Sequence, residues 1–208
     1  QTVGRIRYAD AQGRLLDTSA AVAGGAYQRS QIETQYADGL TVTVNGHTVD
    51  TWKTPNAELP PNGWYVQGGN DLPLTAFSAL VDGHRADYVD SPAYIYADGR
   101  GRLTRFERAA ADGQVIAHRR ADGSLEVIPV GECSRFGLSL GGKAATAIAL
   151  DKEGNRIGAA QTRLSRGLVY VTPLAGAFSY NLQPSGTPEL ALACNRTEVV
   201  PGETVTIS

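Results

Sequence analysis
The sequence predicts an all-β protein, an antiparallel β-sandwich or two small sandwiches in series, and three observations carry that expectation. Asp-Gly pairs recur along the chain, at Asp38-Gly39, Asp82-Gly83, Asp98-Gly99, Asp112-Gly113 and Asp122-Gly123. Such a pair suits the type I′ hairpin turn, whose two central residues take positive φ, a conformation Asp tolerates and Gly adopts freely. The text beside the pairs alternates apolar and polar residues with the period of two that a half-buried strand needs, as in Leu40-Thr41-Val42-Thr43-Val44 and Ser124-Leu125-Glu126-Val127-Ile128. Finally, 24 Gly and 10 Pro in 208 residues, with only 19% charged residues, put the polar share in turn formers rather than in salt-bridged helices.

Taken in order, one stretch reads as helix. Residues 18–23 are Ala-rich, Asp17 or Thr18 can cap their start, and Gly24-Gly25 stops them after barely two turns. The hairpin text around residues 40–44 follows, then Thr54-Pro55-Asn56 and Leu59-Pro60-Pro61-Asn62-Gly63, where consecutive prolines remove amide donors and exclude a central strand. Gln67-Gly68-Gly69-Asn70-Asp71 reads as a flexible break. Further strands are expected at residues 93–96, 114–117, 144–150, 167–171 and 177–182. Gln183-Pro184-Ser185-Gly186-Thr187-Pro188 has the composition of a linker. The expected organisation is therefore an N-terminal β region at 1–67, a main sandwich at 68–184, and a linker at 185–208 leading into strands of a further domain or an edge addition.

A formal charge of −2 argues against a dedicated nucleic-acid partner. No window approaches the roughly 18 apolar residues of a membrane span. The absence of Met points to a processed chain or a piece of a longer one. The two cysteines, Cys133 and Cys194, are too few for a zinc site and too far apart for a CxxC motif. Paired, they would close a loop of about 60 residues worth roughly 4 kcal/mol and imply an oxidising compartment. The alternative is two separately buried thiols.

Signs of catalysis are few. His47, His84 and His118 lie far apart, without HExxH or any paired spacing, and read as solvated surface residues with no metal or cofactor to hold. No GxSxG elbow, P-loop or GxGxxG fingerprint occurs, and Gly99-Arg100-Gly101 reads as a turn. Asp87, Asp90, Glu107, Glu126 and Glu132 include enough acids for a glycosidase pair, as any β protein of this size does, and no catalytic residue is assigned. The aromatic distribution is more informative. Trp52, Trp64 and Tyr65 flank the proline turn, and Tyr88, Tyr94 and Tyr96 cluster with Asp87 and Asp90. An aromatic face packs against the C–H face of a pyranose while neighbouring carboxylates meet its hydroxyls, so Trp52, Trp64, Tyr65, Asp87, Tyr88 and Asp90 are the candidate ligand-binding residues. Of these Trp52 is expected to face solvent, whereas Tyr94 and Tyr96 share one side of a strand and are expected to pack in the core or across strands. A basic run, Arg100, Arg102, Arg105, Arg108 and His118-Arg119-Arg120, is expected to be neutralised by Glu107, Asp98, Asp112 and Asp122.

Tyr36-Ala37-Asp38-Gly39-Leu40-Thr41-Val42-Thr43-Val44-Asn45-Gly46, then Trp52, then Leu59-Pro60-Pro61-Asn62-Gly63-Trp64-Tyr65, resembles the β-rich region that follows the catalytic barrel in many large secreted bacterial glycoside hydrolases. Ala147 to Gly158 and Phe178-Ser179-Tyr180 resemble later strands of the same sandwiches, and Val200 to Ile207 resembles the entry strand of an immunoglobulin-like domain. The resemblance covers about a third of the chain and no catalytic signature. It implies a secreted or cell-surface setting and a non-catalytic accessory module that contacts catalytic or neighbouring domains of its parent chain. Two further readings stand beside it, a carbohydrate-binding module for polysaccharide and a structural immunoglobulin-like segment of a surface or fibrous assembly.

Overall fold
The computed structural model describes residues 1–185, and the tail from 186, with Cys194, lies outside the described residues. The chain opens with strands β1 (Val3–Ala9) and β2 (Leu15–Asp17), helix α1 (Thr18–Ala23) and a 3-10 turn (Ala26–Arg29). It continues through β3 (Gln31–Tyr36), β4 (Thr41–Asn45), β5 (Trp52–Lys53), β6 (Glu58–Leu59), β7 (Trp64–Gln67), β8 (Thr75–Val81), β9 (His84–Asp90) and β10 (Tyr94–Asp98). Then follow β11 (Thr104–Arg105), β12 (Ala109–Ala111), β13 (Gln114–Arg119), β14 (Leu125–Val130) and β15 (Phe136–Leu138). The last are β16 (Ala145–Leu150), β17 (Arg156–Ala160), β18 (Thr162–Ser165), β19 (Leu168–Val171) and β20 (Ser179–Pro184). The described residues form an all-β, antiparallel fold with two sheets. The helix forms where the sequence places it, and the Asp17 carboxylate caps it by accepting the Ala20 N–H at 2.8 Å.

Among the described residues the larger sheet has 15 strands, and its main path runs β17-β16-β20-β14-β13-β10-β9-β8-β7-β4-β3-β1-β2. The smaller sheet has, among the described residues, five strands in the order β11-β12-β15-β19-β18. Alternating burial gives the large sheet an inner face, on which Ala86, Tyr88, Ile95, Ala97, Val115, Ala117, Leu125 and Val127 meet Phe136, Leu138, Val169 and Val171 of the small sheet in one core. A second, smaller core of Ala9, Trp52, Leu59 and Ala79 lies under β5 and β6. Tyr65 and Phe77 are packed against its rim, and Phe77 also touches the main core.

The Asp-Gly pairs divide by geometry. Only at Asp82-Gly83 do both residues take positive φ, 50° and 73°, in the two-residue hairpin joining β8 and β9. At Asp38-Gly39 and Asp122-Gly123 the Asp keeps negative φ, and its carboxylate accepts the next-but-one amide, from Leu40 at 3.1 Å and Ser124 at 2.9 Å. The Asp there is a turn cap, a use of the side chain that a type I′ reading overlooks. Asp112-Gly113 is a corner rather than a hairpin, because the chain passes there from β12 of the small sheet to β13 of the large one.

Strands β7 and β8 pair directly on either side of the Gly68-Gly69 stretch, from Gln67↔Thr75 to Trp64↔Ser78. The glycines serve close packing: the Asn70 N–H donates to Asp38 O at 3.1 Å, and a Cβ on Gly69 would overlap that carbonyl. No helix of the described residues is long and apolar enough to cross a membrane.

Candidate functional site
Register places the candidate residues on two faces. On β9 the even residues Ala86, Tyr88 and Asp90 point inward, and the odd residues Arg85, Asp87 and Val89 outward. Tyr88 is 1% exposed and lies against Phe106, so it offers no platform to a ligand, contrary to the sequence expectation. Burial, reinforced by the Asp90 carboxylate, pushes its hydroxyl far above the ordinary tyrosine range. Tyr65 is also inward, stacked on Phe77 with centroids 6.2 Å apart. Trp52 is 5% exposed, which corrects its expected solvent position. The pairing Trp52↔Leu59 and Lys53↔Glu58 turns the indole into the small core and the lysine out, an alternation already written in Thr51-Trp52-Lys53.

Asp90 is held by Arg119, by the Tyr88 hydroxyl at 3.4 Å and by Arg108 at 3.9 Å. It lines a cleft of about 430 Å³ with Glu107, Arg108, Arg119, Thr75 and Gln67. Asp87 and Asp90 sit on opposite faces of β9, and Glu126 is tied to Arg120 at 3.0 Å. These three acids therefore do not converge on one reacting bond. Asp112 is committed to structure: its carboxylate accepts Ser134 Oγ at 2.7 Å and the Ser134 and Arg135 amides at 3.0 Å each. Burial alone would raise its pKa, but these hydrogen bonds outweigh it and bring the value down to about 2. Cys133 is buried, and burial pushes its thiol up. Among the described residues no three His, Cys, Asp or Glu side chains group as metal ligands.

The histidines are less free than expected. His47 Nδ1 accepts the Asp50 amide at 2.8 Å, and His84 Nε2 lies 3.1 Å from Gly99 O; His118 is exposed beside Tyr94. The basic run is neutralised locally, but chiefly by Asp87 on Arg100, Asp90 on Arg119 and Glu126 on Arg120 rather than by the acids nearest in sequence.

The outer face of the large sheet brings together what remains. One row runs Ile128–Ile116–Tyr96–Val89–Ala76–Val66–Val42–Thr34–Ile6, each residue directly opposite the next across nine strands. At about 4.8 Å per strand it spans roughly 38 Å, and every member but Thr34 is apolar or aromatic. The neighbouring row is apolar only at one end: Tyr8, Ile32, Val44 and Trp64 give way to Ser78, Asp87, Asp98 and Gln114. Where the rows change character, Trp64, Ser78, Arg85, Asp87, Val89, Tyr96 and Arg100 line a groove of about 260 Å³.

Of the candidate residues, then, Trp64, Asp87 and Tyr88 line this groove, Tyr88 with its ring turned into the core. Sequence reasoning missed Tyr96, Arg85 and Arg100. Tyr94 and Tyr96 do share a side, but it is the outer one, since Ile95 and Ala97 fill the inner core. Tyr94 is 39% exposed and packs across strands with His118. The signal was present in Tyr94-Ile95-Tyr96-Ala97, where both phases are apolar and composition does not distinguish the buried phase. No family model, curated protein or solved structure matches the chain.

Proposed function
We propose that this chain is a non-catalytic β-sandwich accessory module of a secreted carbohydrate-active enzyme, supporting the catalytic domain by docking against it. The observation that carries this reading is the apolar end of the outer sheet face. On β1, β3 and β4 the two adjacent rows are apolar at every position but Thr34, from Ile6 and Tyr8 to Val42 and Val44. Ile6 is 39% and Val44 38% exposed. A contiguous apolar face of this kind stays in water only at a cost of about 25 cal/mol per Å², which a docked domain removes. The resemblance of the hairpin and Leu59-Pro60-Pro61-Asn62-Gly63 text to regions beside glycoside hydrolase barrels supports the choice of partner.

Hydroxyl-radical footprinting tests the reading. In the longer polypeptide that it requires, Ile6, Ile32 and Val44 are labelled less than in the 208-residue chain alone. Equal labelling in both, or release of reducing sugar from polysaccharide by the isolated chain, overturns it.

A further inference from the structure
We propose that the groove between Trp64 and Tyr96 is a binding subsite for one ring of a neutral pyranoside chain. It adjoins the docking end of the sheet but lies on β7 to β10, and it stands independently of the accessory-module reading. At about 260 Å³ it is smaller than the roughly 300–1,000 Å³ of pockets for drug-sized ligands, so it takes one ring-sized group. Its outward-facing aromatic members come from strands three apart in the sheet, Trp64 on β7 and Tyr96 on β10, with Phe77, Ser78, Asp87, Tyr88 and Val89 between them.

The polar groups are set rigidly. Arg85 donates from Nε to Ser78 Oγ at 3.0 Å and from its two terminal nitrogens to Pro61 O at 3.2 Å and Asn62 O at 3.0 Å. The Leu59-Pro60-Pro61-Asn62-Gly63 turn and the groove are thus held by one side chain. Arg100 Nε donates to Asp87 Oδ2 at 2.6 Å. That ion pair sets donors and acceptors side by side, the combination a sugar hydroxyl needs, and Arg85, bound to a hydroxyl and two carbonyls, leaves the groove one net positive charge. Burial, together with Asp98 and Asp87, raises the Tyr96 pKa. Aromatic faces for C–H packing beside a paired donor and acceptor suit a saccharide ring.

The test uses the 208-residue chain with cellohexaose, xylohexaose and mannohexaose as probes. The chain has two tryptophans, so two indole N–H signals report in a ¹H–¹⁵N spectrum. The expected result is that at least one hexasaccharide, at concentrations up to about 1 mM, shifts the Trp64 signal and leaves that of buried Trp52 in place. Trp64→Ala and Tyr96→Ala, each checked against the wild-type melting curve, then weaken binding about tenfold or more. Ile6→Ser, on the docking end three strands from Trp64, leaves binding unchanged, so failure of the subsite and failure of the docking reading are distinguishable. The proposal is overturned if none of the three probes moves the Trp64 signal, as when the groove instead seats a side chain of a partner protein. It is equally overturned if binding survives both aromatic truncations.

Discussion

The Tyr88 and Phe106 rings lie parallel, 2° apart in plane with centroids separated by 4.9 Å, and they join the two sheets: Tyr88 belongs to β9, while Phe106 follows β11 of the small sheet. Phe77 adds tilted contacts to both rings, at 5.6 and 6.1 Å. The Tyr88 hydroxyl accepts the Arg108 N–H at 3.2 Å, fixing the loop that carries Phe106. Tyr88→Ala therefore costs about 3–5 kcal/mol, the range for a large buried aromatic. Tyr88→Phe keeps the stack and loses the two hydrogen bonds of the hydroxyl, from the Arg108 N–H and to Asp90, at about 1–2 kcal/mol. Urea unfolding of the two variants measures both, and equal losses would place the stabilisation in the hydroxyl rather than in the ring.

Asp112 makes the fold acid-sensitive over a defined window. Its folded pKa of about 2 lies below the unfolded value of 3.8, so its contribution is full above about pH 4 and is lost as pH falls through 2. The shift corresponds to roughly 2 kcal/mol, and the carboxylate is largely buried, at 10% side-chain exposure. Asp112→Asn loses about that much at pH 6 and flattens the stability profile between pH 4 and 2. Unfolding free energies at pH 2, 3, 4 and 6 check it, and an unchanged slope in the variant assigns the acid sensitivity elsewhere.

Arg85 makes a narrower prediction. Its guanidinium serves Ser78 Oγ, Pro61 O and Asn62 O at once, a fork that an ammonium cannot reproduce. Arg85→Lys should lower stability by about 1–2 kcal/mol and speed proteolysis at the 59–63 turn. Unaltered cleavage there would mean that the prolines alone hold the turn.

Much of the fold was legible because its determinants are local. Asp17 before an Ala-rich run ending in Gly24 specifies the short helix, and the alternation in Leu40 to Val44 specifies a strand, without reference to anything distant. The groove was less legible because it depends on which phase of a strand faces the core. In Ala86-Asp87-Tyr88-Val89 the aromatic is inward and the carboxylate outward, a decision taken by Phe106 and Phe77, far along the chain or on another strand. Asp112-Gly113 was read as a hairpin for the same reason. Its role as a corner rests on Ser134 and Arg135, more than 20 residues on.

Trp52 and Trp64 belong to the same stretch of sequence and should behave in opposite ways. Trp52 fills the small core with Ala9, Leu59 and Ala79, so Trp52→Ala leaves a large cavity and costs about 3–5 kcal/mol. Trp64 lies half-buried on the outer face between Val44 and Ser78, where truncation creates no closed cavity. The cost of Trp64→Ala is then mainly lost apolar contact, about 1–2 kcal/mol. The intrinsic fluorescence should differ correspondingly. With Trp64 removed, the remaining emission is that of a buried indole and acrylamide quenches it poorly; with Trp64 alone, as in Trp52→Phe, quenching is strong. A pair of variants equally destabilised and equally quenched would mean that both indoles share one environment, contradicting the register that turns Trp52 inward and Trp64 outward.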